Sequence, residues 1–200
     1  MVGVPGVDRG SIRCVPRLAD AWPIERVLSP GSYVDLSPST ALGSVTYVDS
    51  DPRAARFFAD RDLVGSELGG RTRPGAGREV RFPDADDTRR LDVPDAGVDL
   101  LVSLYAGPVW EHCRRYLRPG GWLLANTSQV TRSWRPSTRR CLVAAVHHRD
   151  GRYRLVTDRL DRYLVPKRPE TADADQIRAR GRGIAYTHSA FAYLFQDLGP

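Results

Sequence analysis

The first residue of chemical interest is Asp49. It follows Val45-Thr46-Tyr47-Val48, a β-branched and aromatic run that predicts a strand, and precedes Asp51-Pro52, an N-cap and first-turn pair that predicts a helix. A carboxylate that ends a strand in an α/β sheet stands at the edge where such sheets bind ligands. When ionised it accepts hydrogen bonds and donates none. A second acidic group, Asp84, Asp86 and Asp87, follows a third strand candidate, Glu79-Val80-Arg81-Phe82. Asp86 and Asp87 read equally as ligand contacts and as caps or turn residues. Ser103, Leu104 and Tyr105 follow the apolar run that starts at Val98; Tyr105 suits either a hydrogen bond to a substrate or an aromatic wall. Asn126, Thr127 and Ser128 end the next strand candidate and can orient a substrate or cap a turn.

Other chemistries find no support. The stretch Gly65 to Gly77 is rich in glycine and arginine, but it lacks the Gly-Lys-Ser/Thr ending of a phosphate loop and reads as a surface loop. His112 falls in a predicted helix, and His147 and His148 are strand neighbours that must point to opposite faces. His188 lies between Tyr186 and Phe191, and its plain reading is a half-buried structural residue. No spacing suits a metal site or a Ser-His-Asp triad. Cys14, Cys113 and Cys141 form no C-x-x-C pair and read as small buried hydrophobes in a reducing compartment.

Strand candidates alternate with helical stretches, which predicts an α/β layer fold. Arg26-Val27-Leu28 is a short strand stopped by Pro30-Gly31, and Val109 to Leu117 reads as a helix stopped by Arg118-Pro119-Gly120-Gly121. Trp122 to Ala125 is the next strand, Cys141 to His148 and Tyr153 to Thr157 form a hairpin around Arg149-Asp150-Gly151, and Ile184 to Phe195 carries a last strand.

The segment Val98-Asp99-Leu100-Leu101-Val102-Ser103, a helix, then Tyr116-Leu117-Arg118-Pro119-Gly120-Gly121-Trp122-Leu123-Leu124 resembles the fourth and fifth strands of class I (Rossmann-like) S-adenosylmethionine-dependent methyltransferases. The resemblance covers about residues 26–128. It implies a three-layer, mostly parallel sheet with helices on both faces and antiparallel strands at the C-terminal end. It also implies S-adenosyl-L-methionine as cofactor. Asp49 then takes the ribose hydroxyls and Asp86, with Asp87 beside it, touches the adenine. Ser29, Gly31 and Ser32 occupy the place of the glycine-rich loop, Ser103 lies on the cofactor side, and Tyr105 is the acceptor-side catalytic candidate. The chain departs from the family pattern in that loop. Only Gly31 remains of the glycines, Ser29 stands where an acid is usual, and Pro38 shortens the first helix. A register with Tyr33 to Leu36 as first strand leaves Ser37 to Ser44 to make a parallel crossover, too few for the dozen or so residues required, so Arg26 to Leu28 is preferred. No Asn-Pro-Pro-Tyr sequence follows the fourth strand, which leaves a DNA-base amino group without support as acceptor.

The chain has 200 residues, 41% of them hydrophobic, enough to bury a core. It divides into a short N-terminal extension (1–25), a cofactor half (26–130) and a C-terminal half (131–200). Of the 30 basic residues only Lys167 is not arginine, and the net charge is +6. Residues 1–130 hold 16 basic and 17 acidic residues, against 14 and 7 in residues 131–200. An anionic acceptor, small molecule or protein, docking on the C-terminal half is the reading this split favours. A methyltransferase-like scaffold without catalysis ranks second, and an RNA-binding methyltransferase third. There is no apolar run of membrane-spanning length, and the first eight residues lack a charged n-region and apolar h-region, so the expectation is a cytoplasmic protein with no membrane partner.

Overall fold

The computed structural model describes residues 14–104, 106, 109–127, 140–150, 152–168 and 185–199. Eight strands form one sheet: β1 (Arg26–Pro30), β2 (Ser44–Val48), β3 (Glu79–Arg81), β4 (Val98–Ser103), β5 (Leu117–Ala125), β6 (Arg140–Arg149), β7 (Arg152–Val156) and β8 (Ala192–Asp197). Their order is β3-β2-β1-β4-β5-β8-β6-β7. Strands β1 to β5 are parallel, β8 runs antiparallel between β5 and β6, and β7 folds back on β6. This is the mostly parallel, Rossmann-like sheet expected, with its antiparallel strands at the C-terminal end.

Both sheet faces are covered, which is why β4 is apolar and buried along its whole length. One face packs Val27, Tyr47, Leu100 and Leu194 against α1 (Val15–Ala21) and α3 (Arg61–Leu68). The other packs Leu28, Leu101 and Tyr193 against Val109, Trp110 and Cys113 of α4 (Val109–Cys113). Burial pushes the Cys14 and Cys113 thiols up to about 12, as inert core residues. Cys141 differs from expectation in being exposed.

The crossover from β1 to β2 contains one 3-10 turn, Ser37–Thr40, with Pro38 in its first positions. Tyr47 anchors it: the Tyr47 hydroxyl oxygen accepts from the Ser39 amide at 3.1 Å and lies 2.8 Å from Ser39 Oγ. Burial raises the Tyr47 phenol above its ordinary range. Helix α2 (Pro52–Ala59) begins as the sequence implies, Asp51 accepting from the Arg53 amide at 2.8 Å.

The structure corrects the expected helix stop at Arg118-Pro119-Gly120-Gly121. Helix α4 ends at Cys113, a 3-10 turn follows over Arg114–Tyr116, and Arg118 to Gly121 lies within β5 as an irregularity. The register jumps there from Val98↔Leu117 to Leu100↔Trp122. Gly120 takes φ +74°, and a Cβ on Gly121 would stand 2.7 Å from Leu117 Cδ1 and 3.0 Å from the Asp99 carbonyl. The glycines therefore allow a bulge rather than a reversal. The last strand begins at Ala192, later than expected; upstream, Tyr186 makes an isolated bridge with Pro166.

That bulge is tied by Asp99. Its Oδ2 accepts from the Arg26 amide at 2.8 Å and the Glu25 amide at 3.1 Å, and its Oδ1 accepts from Arg118 Nε at 2.8 Å. Arg118 also stacks over Trp122, 5.1 Å from the ring centre. One buried carboxylate thus joins the starts of β1, β4 and β5. Burial pushes its pKa up, but the Arg26 amide, the Arg118 guanidinium and the Glu25 amide outweigh burial and hold it below the usual carboxylate value. Replacing Asp99 by Asn removes the ion pair and should cost about 2–4 kcal/mol, read from the urea midpoint. Because the folded pKa is depressed, the carboxylate's contribution is complete above its unfolded value, near about 4, and is lost as pH falls. The parent protein should therefore lose more stability than D99N between about pH 5 and pH 3.

Candidate active site at the sheet edge

In the strand order β2-β1-β4-β5 the chain winds away in both directions from the β1/β4 junction. Crevices of open α/β sheets bind ligands at such a switch point, beyond the carboxyl ends of the strands. The register sets Pro30 beside Val48, Ser103 beside Ala125, and Ala125 beside Tyr193, so the ends of β1, β2, β4 and β5 and the start of β8 share this edge.

The turn after β1 is built from backbone. The Gly31 amide donates to the Val48 carbonyl at 2.8 Å with φ +61°, and Tyr33 takes φ +49°. A left-handed tyrosine is uncommon and needs support. The support is Asp49: its Oδ2 accepts from the Tyr33 amide at 2.8 Å and its Oδ1 from the Asp51 amide at 2.9 Å. Two backbone donors fix the carboxylate plane, while each oxygen keeps a further lone pair. Asp49 also pairs by backbone with Asp84 beyond β3. Arg53, on α2, sits 5.9 Å over the Tyr33 ring.

Ser29 and Ser32 flank Gly31, and among the described residues neither buried hydroxyl has a hydrogen-bond partner. Unsatisfied buried hydroxyls are costly. Ser103 is buried at the end of β4. Tyr105, the acceptor-side candidate, lies outside the described residues, as does Ser128.

The acidic rim separates into two environments. Asp86 is exposed and its Oδ1 accepts from the Thr88 hydroxyl at 2.7 Å and the Thr88 amide at 2.9 Å. The Thr88 hydroxyl, then the Thr88 amide, hold its carboxyl below the ordinary value. It acts here as a turn cap. Asp87 is half-buried, and burial first, then the Asp86 charge and more weakly Asp49, push its carboxyl up.

Two features of this edge carried no sequence signal. Ala106 lies over the β1 turn: a Cβ on Gly31 would fall 2.6 Å from Ala106 Cβ. At the far end of the edge, His147 Nε2 and the Tyr163 hydroxyl lie 2.7 Å apart. Burial, then Arg154 and Arg162, lower the His147 pKa, which favours the uncharged imidazole. Tyr163 packs edge-on against Tyr193, 6.2 Å between centres. His147 and His148 do face opposite sides, His148 stacking on Tyr153 at 4.3 Å. His188 is exposed, and His112 is on α4 as expected. Among the described residues no group of His, Cys, Asp and Glu could hold a metal, and no helix is long and apolar enough to cross a membrane.

No protein-family model and no curated protein sequence matches the chain. Among solved structures it is similar to an S-adenosylmethionine-dependent O-methyltransferase from Thermotoga maritima, at 16% identity and TM-score 0.49, over 100% of this chain and 68% of that one. It is similar to the tRNA methyltransferase TrmI from Aquifex aeolicus, at 16% identity and TM-score 0.48, over 94% and 69%. It is also similar to the YcgJ protein from Bacillus, at 18% identity and TM-score 0.38, and spans 50% of that chain's length. The strand order, not these likenesses, establishes the Rossmann-like fold.

The Gly31 turn generates a stability prediction. Gly31→Ala combines a left-handed φ with a contact that Ala106 must yield to, and should cost about 2–3 kcal/mol. Adding Ala106→Gly should recover part of that loss, since it removes the clashing methyl but not the φ strain. Thermal melts of the two single variants and the double variant test this; strictly additive losses would contradict the contact.

Proposed function

We propose that the chain binds S-adenosyl-L-methionine in the crevice over β1 and β4 and transfers its methyl group to an anionic acceptor, a small molecule or a protein. The observation that carries this reading is Asp49, a strand-terminal carboxylate fixed by the Tyr33 and Asp51 amides beside the Gly31 turn. The residues fit the group. Asp49 has lone pairs for the ribose diol, and the buried Ser29 and Ser32 hydroxyls suit the polar amino-acid end. Asp86 or Asp87 would face the adenine, and Ser103 would line the β4 side.

The cofactor, when bound, supplies an electrophilic methyl carbon; the acceptor's electron pair forms the new bond as the carbon–sulfur bond breaks and its electrons pass to sulfur. The protein has to align donor and acceptor and exclude water. A base is needed only for a protonated acceptor. Tyr105 is the candidate to face the acceptor. Arg154 and Arg162 flank His147 on the same edge, and the two guanidiniums suit an anionic acceptor there.

A second reading, a binding or scaffold module without catalysis, is favoured by one observation: Ala106 packs directly on Gly31, where the family leaves backbone open to the cofactor.

Isothermal titration with the cofactor tests the first reading. The parent protein should bind, and Asp49→Asn should bind at least about tenfold more weakly, a loss of about 1.4 kcal/mol. No binding at millimolar cofactor, or equal binding by D49N, would overturn it. Binding with no transfer of labelled methyl to any acceptor in a cell extract would select the scaffold reading.

A further inference from the structure

A second groove opens at the opposite edge of the sheet, where β4, β5 and β6 begin and β8 ends. Its volume is about 670 Å³, and Arg89, Arg90, Arg114, Arg115, Glu111 and Asp197 are among its lining residues. Four guanidiniums line it against two carboxylates, and two of the four are paired from the rim by Asp86 and Asp95. A phosphomonoester carries roughly −1.5 to −2 at neutral pH, close to the charge of the two rim carboxylates it would displace. The guanidinium fork also suits phosphate oxygens geometrically.

The present partners of these arginines hold them weakly. Arg90 pairs with Asp95 at 3.3 Å and Arg89 with Asp86 at 3.8 Å, both in solvent-exposed positions. Exposed pairs of this kind can re-pair with a ligand at little cost. Arg115 makes no ion pair with another described residue.

The second observation is Asp197. The residue is 5% exposed, and its Oδ1 is buried without a hydrogen-bond partner. Arg114 Nη2 stands 3.6 Å from that oxygen, near enough to pair charges but too far for a hydrogen bond. A buried carboxylate oxygen at the wall of a groove calls for a donor, and a fully ionised phosphate ester has none to give. A ligand hydroxyl does. The lining Tyr116 is fully buried and its hydroxyl oxygen accepts from the Leu91 amide at 2.7 Å, which leaves the half-buried His112 as the other lining ring. The arginines and the orphaned oxygen together suit a ligand that carries both a phosphate and a hydroxyl.

We propose that this groove binds a small polyhydroxylated phosphate ester, its phosphate held by Arg89, Arg90 and Arg115 and one hydroxyl donating to Asp197. The groove shares no lining residue with the Asp49 crevice and meets its rim where Arg89 pairs with Asp86; its test does not require cofactor binding.

Calorimetric titration with ribose 5-phosphate, inorganic phosphate and ribose tests the assignment. Ribose 5-phosphate should bind at least about tenfold more tightly than inorganic phosphate, and ribose alone should not register at about 10 mM. Arg115→Ala, an exposed change that leaves folding intact, should weaken ribose 5-phosphate at least about fivefold. Asp197→Asn should bring ribose 5-phosphate and phosphate to similar affinities; if that variant fails to fold, R115A still decides. Absence of binding at about 10 mM, equal affinities in the parent protein, or an R115A variant that binds unchanged would overturn the proposal. So would binding of a single-stranded oligoribonucleotide, steeply weakened by salt, in the absence of any binding by the sugar phosphate, since the groove would then track a polynucleotide backbone.

Discussion

One carboxylate organises the edge on which the proposed chemistry depends. Asp49 accepts from two amides that belong to two different turns, one after β1 and one leading into α2. The left-handed Tyr33 is held by this acceptor on its amide. The Gly31 turn is held in turn by the Val48 carbonyl, one residue before Asp49. The end of β2 therefore determines the shape of the loop after β1. A ligand meeting Asp49 would meet an oxygen pair already oriented, with little ordering left to do on binding.

The two ends of the sheet are chemically opposed. At the carboxyl end of β2 and β3 the carboxylates of Asp49, Asp84, Asp86 and Asp87 gather, and the half-buried Asp87 feels its acidic neighbours. At the other end arginines gather around Asp197 and Trp110, with Arg140 4.3 Å over the Trp110 ring and burial lowering its pKa to about 10. Part of the arginine excess is therefore structural: Arg118 and Arg140 stack on aromatic rings of the core. The surplus in the C-terminal half includes the exposed Arg149, Arg152, Arg154, Arg159 and Arg162 of the β6–β7 region, on the proposed acceptor side. Much of the rest lies outside the described residues.

What the sequence revealed follows the range of the interactions involved. β1, β2 and β4 were legible because periodicity and the Pro30-Gly31 and Asp51-Pro52 signals are local. Asp49 was legible because a strand-terminal acid is defined by its neighbours. The Arg118 to Gly121 stretch reads as a helix stop yet forms a bulge, because the same glycines permit either and the choice is made by Asp99, nineteen residues away, gripping Arg118. Ala106 gave no signal at all, being a small residue whose importance comes from one contact with a residue 75 positions earlier. The His147–Tyr163 pair joins a strand to a later 3-10 turn and has no motif. Asp86 was a natural candidate, yet its carboxylate is occupied by Thr88 two residues on, a local turn that competes with any ligand.

In the proposed function Asp49 meets the ribose of a bound cofactor. A crystal structure of the complex with S-adenosylhomocysteine tests it most directly. Both ribose hydroxyls should lie within about 3 Å of the Asp49 carboxylate, with the Tyr33 and Asp51 amide bonds retained. A ligand bound elsewhere, with Asp49 touched only by its own backbone neighbours and Ala106 still closed on Gly31, would contradict it.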